Sequence, residues 1–343
     1  MCNIAGYVGT KDATPILLEM IRVQEGINGG FYTGLAVHDG ENLHFRKLRG
    51  DLEKLLQETD AEKLTGCCGM IHSRTPSGGP DLWAHPFHSE ENGEVQLCYV
   101  ANGGIGRFKP RKESYNAVAD KLVAQGYDIP CKIQSGLDKY NKLSSGECVH
   151  ISDVVCQLIY KYKKCGADTA AAMTEAFTRM PSEVVGLVIE KESPDRIYFS
   201  RINMPMFVGF DETGDYLVSA PTGFPAHIKE FKLLPALSSG VIYRDRYEVV
   251  KYPHFSEKVR GFNRKSIERT MRIIQELLAE GEKDFVDIRI AVAKGLPTDK
   301  LLQVPPMTYL ALYELQQSGA IVTRQTTKTV AGQTAPTTRF SLA

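Results

Sequence analysis

The chain has 343 residues, of which 43% are hydrophobic and 24% are charged, and its formal net charge is zero. This composition is that of a soluble globular protein, and the length is sufficient for two domains. A zero net charge argues against wholesale binding to nucleic acid or to a membrane surface. No apolar run approaches the roughly 20 residues of a membrane span, and the amino terminus lacks a signal-peptide pattern, so we expect a cytoplasmic protein.

The first nine residues contain the most reactive candidate. Removal of Met1 would make Cys2 the amino terminus and would place its thiol beside its own α-amine. An α-amine titrates near about pH 8, so part of it is a base at neutral pH, and a thiol beside a base is an activated nucleophile. The alternation from Ile4 to Val8 predicts a strand that would bury and fix Cys2. The alternative is coincidence, since many chains carry cysteine second.

Periodicity and turn residues divide the next part of the chain into helices and strands. We predict helices at 12–26, 52–56, about 113–125, 152–164 and 169–179. We predict strands at 34–38, 43–48, 67–72 and 95–100, followed by six short strands between 184 and 251. Runs of strands with helices between them favour stacked sheets with helices outside over alternating βαβ units.

A linker at 253–262 is predicted to separate a domain at 1–252 from a second domain at 263–343. The second domain contains predicted helices at 266–279, 284–294 and 307–318, followed by strands at 321–329 and 337–342. Three helices followed by a β-hairpin form the outline of a winged helix. Basic residues surround its first helix, which indicates either contact with nucleic acid or an acidic protein, or a solvated helix face: Lys258, Arg260, Arg264, Lys265, Arg269 and Arg272. The third helix lacks Lys and Arg, which favours protein docking over reading of the major groove.

Several polar residues are candidates for binding a substrate beside Cys2. Arg74 lies in a loop rich in Gly and Pro after a buried strand, where it is either a carboxylate anchor or a surface arginine. Asn102 and Gly103 end a strand and form either an oxyanion site or an ordinary turn. Asp153 begins a helix as a capping or first-turn acid, or as an anion that binds a substrate ammonium. His85 is ambiguous between a structural hydrogen bond and a site residue.

The eight cysteines include no CxxC pair, which favours free thiols. Cys148 and His150 have no second ligand pair at zinc spacing, so we predict neither a metal nor a cofactor.

Taken in order, these features resemble a known family. The matching segments are Cys2 with Ile4-x-Gly6, Gly34-Leu35-Ala36-Val37, His72-Ser73-Arg74-Thr75-Pro76-Ser77-Gly78-Gly79, Ala84-His85-Pro86, Asn102-Gly103 and Ser152-Asp153. From residue 2 to about residue 250 the chain is similar to the class II glutamine amidotransferases. These are N-terminal-nucleophile hydrolases, such as the glutaminase halves of glucosamine-6-phosphate synthase and of amidophosphoribosyltransferase.

The resemblance implies a four-layer αββα fold and hydrolysis of L-glutamine to glutamate and ammonia. Cys2 would attack the carboxamide, and Asn102 with the Gly103 N–H would hold the oxyanion. Arg74 would bind the glutamine carboxylate and Asp153 its α-amine. Residues 73–80 would form a flap. Ser77 and His85 would line the pocket.

The chain departs from the family pattern at the residues expected around Cys2. Asn3 replaces a glycine, which predicts a crowded entrance, and the segment from Asn28 to Gly34 lacks the family's Arg and Asp. Thr75 stands where the family carries an aromatic residue. These departures support an alternative, in which the chain is a catalytically weakened regulatory or DNA- or protein-binding protein. An uncut Met1 would also convert the base amine into an amide, and hydrolysis of a different amide is a third hypothesis.

The residues after 252 contain no GxxxxGK loop and no Gly-rich βα turn, so no acceptor half of a known kind fits there. The resemblance therefore implies a separate synthase or acceptor protein as partner.

Overall fold

The structure, a computed structural model, describes residues 2–104, 106, 112–134, 140–255 and 258–343, and of residues 112–114 the backbone only. Its strands are β1 (Asn3–Gly9), β2 (Tyr32–His38), β3 (Leu43–Leu48), β4 (Cys68–Arg74), β5 (Phe87–Glu91), β6 (Glu94–Gly104), β7 (Asn141–Lys142), β8 (Cys148–Val149), β9 (Glu183–Glu190), β10 (Ser193–Arg201), β11 (Phe207–Asp211), β12 (Gly214–Val218), β13 (Phe231–Leu233), β14 (Ser238–Ile242), β15 (Tyr247–Lys251), β16 (Ile321–Val330) and β17 (Gln333–Leu342). Its helices are α1 (Ala13–Asn28), α2 (Leu52–Glu58), α3 (Lys112–Ala124), α4 (Ile151–Lys164), α5 (Thr169–Arg179), α6 (Arg264–Leu278), α7 (Phe285–Gly295) and α8 (Val304–Gln317).

Two antiparallel sheets form the centre of the molecule. The first has the strand order β13-β11-β12-β1-β4-β2-β3 and the second β15-β14-β10-β9-β6-β5. Along β1, Ile4 and Val8 contribute to the core between the sheets, whereas Ala5 and Tyr7 contribute to the core on the other side. This alternation follows from the two-residue period of a strand.

Helices cover the outer faces of both sheets. Leu17 and Ile21 of α1 pack in one core with Ile71 of the first sheet, and α4 and α5 share a second core with residues of the second sheet. The predicted stacking of two sheets with outer helices is therefore confirmed. The strands β5 and β13 were not predicted, because β5 reads Phe-His-Ser-Glu-Glu and β13 has only three residues.

The C-terminal part consists of α6, α7, α8 and the antiparallel hairpin β16–β17, in the predicted order. Its buried side chains, such as Ile274 and Met307, belong to the same core as Leu17 of α1. The winged-helix assignment itself stays a prediction. None of the described helices combines the length and apolar composition needed to cross a bilayer.

Candidate active site

Cys2 lies immediately before β1, an interior strand of the first sheet with β4 and β12 as its neighbours. Its side chain is buried. Because Ile4 is paired with His72 on β4, and directly opposed residues of an antiparallel pair share a face, Cys2 shares a face with His72 and Arg74. The sheet register therefore brings three polar groups to one place between the two sheets.

Asn102 is the nearest hydrogen-bonding partner of the Cys2 backbone. The Cys2 N–H donates to Asn102 Oδ1 at 2.6 Å. Asn102 is fully buried, and within the described part of the chain its Nδ2 has no hydrogen-bond partner. Leaving a buried donor unpaired costs about 1–3 kcal/mol. An amide whose oxygen is fixed and whose Nδ2 is free is a preorganised donor for an anion that forms beside Cys2.

Gly103 follows Asn102 within β6, where the two residues pair with Val184 and Val185, so the alternative of an ordinary Asn-Gly turn is wrong. Gly103 has a φ of 151°, and a Cβ at this position would lie 2.0 Å from the Glu183 carbonyl oxygen. Only glycine fits here.

His72 is a residue of this site that the sequence analysis did not single out. Its Nε2 bonds the Ala101 carbonyl oxygen at 3.0 Å, so Nε2 carries the proton and Nδ1 the lone pair of the neutral ring. Nδ1 is buried and has no hydrogen-bond partner among the described residues. Burial raises the pKa of the Cys2 thiol, but the His72 imidazole, the charge of the amino terminus and a backbone hydrogen bond from Thr75 together outweigh burial and lower that pKa from 9.0 to about 6. His72 could have been found from its position two residues before Arg74 on a predicted strand, because residues two apart on a strand lie on the same face.

His85 packs against the ring of His72. The two rings are stacked with their centroids 4.1 Å apart, and His85 Nδ1 accepts a hydrogen bond from the Ala101 N–H at 3.2 Å. Burial, aided by the neighbouring His72, lowers the pKa of His85 well below its ordinary value, so the ring is neutral at neutral pH. These contacts favour the structural alternative for His85.

Arg74 is buried, so the alternative of a surface arginine is wrong. Its Nη1 donates to the Trp83 carbonyl oxygen and its Nη2 to that of Gly78, each at 3.0 Å. The guanidinium carbon lies 4.4 Å from the centre of the Tyr32 ring. A guanidinium has five N–H donors, so the two contacts orient Arg74 and leave donors for a ligand.

The segment 73–80 lies against the same site. Thr75 Oγ1 is 3.9 Å from Cys2 Sγ, and Ser77 Oγ donates to the Thr75 carbonyl oxygen at 3.4 Å. The Tyr140 hydroxyl donates to the carbonyl oxygens of Ser77 and Gly78. The segment is thus held by its own backbone contacts and by Tyr140.

Asp153 lies in the first turn of α4, where His150 and not Asp153 provides the cap. Its Oδ1 accepts a hydrogen bond from Gln157 Nε2 at 3.0 Å and its Oδ2 one from the Cys131 N–H at 2.9 Å. Burial raises the pKa of Asp153. Among the described contacts none joins this carboxylate to Cys2 or Arg74, so the structure shows Asp153 as a link between α4 and the loop at Cys131.

The expectation that Asn3 crowds the entrance is wrong. Asn3 alternates with Cys2 along the strand and points to the opposite face, where its Nδ2 donates to the Gln24 carbonyl oxygen at 2.5 Å. Its Oδ1 accepts a hydrogen bond from the Tyr309 hydroxyl at 3.2 Å. Tyr309 comes from α8, and no local pattern in the sequence indicated that it would lie near Cys2.

Two other residues that depart from the family pattern, Asn28 and Phe31, also lie next to the C-terminal part. Phe31 is buried against Ala335 and Val330, and its carbonyl oxygen accepts a hydrogen bond from Gln333 Nε2 at 2.7 Å. Asn28 lines a cleft that the C-terminal part closes from the other side. Met1 lies outside the described residues.

A cysteine at the start of an interior strand, in one of two stacked antiparallel sheets with helices outside, resembles the arrangement of an N-terminal-nucleophile hydrolase. No protein-family model matches the chain. The glutamine–fructose-6-phosphate aminotransferase (isomerizing) of Clostridium tetani is 28% identical over 236 residues, which are 68% of this chain and 34% of that protein. The enzyme of the same name from Chlorobaculum tepidum is 26% identical over 313 residues, which are 86% of this chain and 46% of that protein.

Solved structures show the same relationship at the level of the fold. The glutamine phosphoribosylpyrophosphate amidotransferase of B. subtilis matches with a TM-score of 0.57 at 17% identity, covering 86% of this chain and 64% of that one. A structure described as the allosteric regulatory enzyme of purine biosynthesis matches with a TM-score of 0.59 at 15% identity and the same coverages.

These matches confirm the resemblance of the chain to the class II glutamine amidotransferases, a family of enzymes. The chain spans less than half the length of the two curated relatives described above.

Proposed function

We propose that the chain hydrolyses L-glutamine to glutamate and ammonia, with Cys2 as nucleophile after removal of Met1. The observation that carries this proposal is the arrangement of Cys2 and Asn102. The Cys2 N–H donates to Asn102 Oδ1, so the Asn102 side chain is held next to Cys2 while its Nδ2 remains available to donate to a substrate oxygen. A thiol whose pKa is lowered to about 6, next to a buried unused donor, matches the needs of attack on a carboxamide.

The proposed reaction proceeds through a thioester. Cys2 Sγ adds to the carboxamide carbon, and Asn102 Nδ2 with the Gly103 N–H donates hydrogen bonds to the resulting oxyanion. The C–N bond breaks as the leaving nitrogen takes a proton from the α-ammonium of Cys2 and departs as ammonia. Water then attacks the thioester carbon, which releases glutamate and restores the thiol.

In this proposal Arg74 binds the glutamine carboxylate with donors that Trp83 and Gly78 leave free. Asp153 binds the substrate ammonium. Ser77 lines the pocket within the flap at 73–80, and His85 keeps His72 in place. The charges of Arg74 and Asp153 are opposite to those of the α-carboxylate and the α-ammonium group of free glutamine, which supports an amino-acid amide as substrate.

Ammonia passes to an acceptor on a separate protein, and the C-terminal part at 263–343 is a winged-helix-like domain that docks a protein. Docking of a protein, as opposed to nucleic acid, is supported by the basic residues around α6, because one of them is already paired with acidic residues of the chain. Arg264 forms ion pairs with Glu314 at 2.6 Å and Glu268 at 3.1 Å. Charges used in this way are less available to nucleic acid.

The test is release of glutamate and ammonia from glutamine by the purified full chain, with intact mass before and after a glutamine-mimicking electrophile. We expect a mass that lacks Met1, a single adduct on Cys2, and no turnover by Cys2→Ala. Cys165→Ala is the matched control, because Cys165 is an exposed free cysteine. Turnover that survives Cys2→Ala, or an absence of turnover in the chain that lacks Met1, would show the proposal to be wrong.

A further inference from the structure

A cleft of about 460 Å³ lies between the N-terminal and C-terminal parts of the chain, and the proposed hydrolysis assigns it no role. One wall is formed by residues 26–29, Phe31 and the segment 75–77. The opposite wall is formed by α7 and the hairpin β16–β17, which contribute Asp284, Arg289 and Lys328. Its volume falls in the range of roughly 300–1,000 Å³ that is usual for small-molecule sites.

Thr75 connects the cleft to Cys2. Thr75 lines it, and Thr75 Oγ1 is 3.9 Å from Cys2 Sγ. Arg289 is also electrostatically close to the reaction centre, because both it and Cys2 act on the buried phenol of Tyr309. Burial and the charge of Cys2 raise the pKa of Tyr309, whereas the charge of Arg289 opposes them.

Arg289 is a half-buried guanidinium that has neither an ion pair nor a hydrogen bond in the described part of the chain. The other cation of the cleft, Lys328, is paired with Asp284 at 3.2 Å. Withdrawing a guanidinium from water without a partner is unfavourable, and its planar fork matches a carboxylate or phosphate group. The cleft therefore contains one more positive than negative side chain, and the unpaired one is the better anion ligand.

We propose that this cleft binds a small anionic molecule through a carboxylate or phosphate group on Arg289. A ligand held there shares the cleft with Thr75, whose Oγ1 is 3.9 Å from Cys2 Sγ. Binding of the anion itself does not depend on the proposed hydrolysis.

The experiment measures binding of pyrophosphate and of malonate to the full chain by calorimetry, with three variants. Arg289→Met is expected to weaken binding at least about tenfold, since a charge-assisted hydrogen bond contributes more than 1.4 kcal/mol. Arg272→Met is the control, because Arg272 is an exposed arginine of the neighbouring helix α6 outside the cleft. Arg289→Lys keeps the positive charge and loses the planar guanidinium, so it is expected to weaken binding by a smaller factor than Arg289→Met. It also provides a test if Arg289→Met does not fold.

Tighter binding of pyrophosphate would assign the site to phosphorylated ligands, and tighter binding of malonate would assign it to carboxylates. No binding of either anion to the wild type would overturn the proposal, as would equal losses in Arg289→Met and Arg272→Met, or an unchanged affinity in Arg289→Lys. Glutamine hydrolysis is measured on the same samples. Its absence would contradict the proposed function and leave anion binding as a separate result.

Discussion

Cys2 lies beside two groups that can accept its proton. Its own α-amine becomes available when Met1 is removed, and His72 Nδ1 is a buried lone pair without a described partner. With a pKa of about 6, most of the thiol is ionised at neutral pH. In the proposed reaction the α-amine then acts mainly as the acid that protonates the leaving nitrogen, and a His72 ring that has accepted the thiol proton stabilises the thiolate between turnovers.

The rate of Cys2 alkylation by iodoacetamide is expected to rise with pH through a midpoint near 6, because the thiolate is the reacting form. His72→Gln retains a donor for the Ala101 carbonyl and removes Nδ1, so the midpoint should move upward toward 9.0. Peptide mapping separates Cys2 from the exposed Cys67 and Cys165. His44→Gln, on the surface, is the control, and a midpoint unchanged by His72→Gln would show that His72 does not lower this pKa.

Glu25 is expected to make stability depend on pH. Burial raises its pKa from 4.5 to about 7. Below about pH 4.5 the carboxyl is protonated in both states, and between 4.5 and 7 only the unfolded chain loses the proton. The free energy of unfolding should therefore fall by an amount of the order of 3 kcal/mol as pH rises through this window, and should then level off.

Urea denaturation at several pH values measures this effect. Glu25→Gln, which is neutral at every pH, should make the slope smaller by the contribution of Glu25, whereas Glu19→Gln on the exposed side of the same helix should keep the full slope. The rest of the slope is expected from groups such as Asp215, whose pKa burial also raises to about 7. Parallel slopes in the wild type and Glu25→Gln would contradict the prediction.

At the scale of elements, a buried hydrogen bond connects the helix α8 to β1. The Tyr309 hydroxyl donates to Asn3 Oδ1, and the Tyr309 ring stacks on Phe285 with centroids 4.5 Å apart. Asn3 also bonds the Gln24 carbonyl of α1. Because Asn3 is adjacent to Cys2, this hydrogen bond places α8 one residue away from Cys2.

Tyr309→Phe keeps the ring stack and leaves Asn3 Oδ1 without its donor. We expect the free energy of unfolding to fall by about 1–2 kcal/mol, which chemical denaturation can measure. Tyr313→Phe is the control on the same helix, because Tyr313 is only half-buried and its ring packs against Phe231. Equal stabilities of the two variants would show that the bond between Tyr309 and Asn3 contributes nothing.

Elements could be predicted from the sequence where side chains alternate or recur with a helical period, as in β1, α1 and α4. The short β13 and the polar β5 could not, because they carry no such period. Within the site, residue type and local position made Cys2, Arg74 and Asn102 candidates, and the family resemblance then predicted their roles. His72 and Tyr309 were missed, since their proximity to Cys2 depends on strand register and on a contact between residues 306 positions apart.

At the scale of the whole molecule, one core extends from the first sheet through α1 into α6, α7 and α8. We therefore expect one cooperative unfolding transition for both parts. The single tryptophan, Trp83, lies in the N-terminal part, and its fluorescence reports on that part alone. Met307→Ala, a change in α8, should lower the free energy of unfolding measured at Trp83 by about 2–5 kcal/mol.

Val322→Ala, at an exposed position of β16, should leave the Trp83 transition unchanged. If Met307→Ala shifts a helical transition seen by circular dichroism and leaves the Trp83 transition in place, the two parts unfold independently and the expectation of one transition is wrong.

The position of β1 between β4 and β12 has a kinetic consequence. The Ile4 N–H donates to Ser219 Oγ, 215 residues further along the chain. Contacts between such distant residues carry a large loop-closure entropy and form late in folding. The Cys2 thiol is thus fully held in place only once the distant β12 has joined the sheet, and recovery of the proposed activity during refolding should coincide with the slowest structural step.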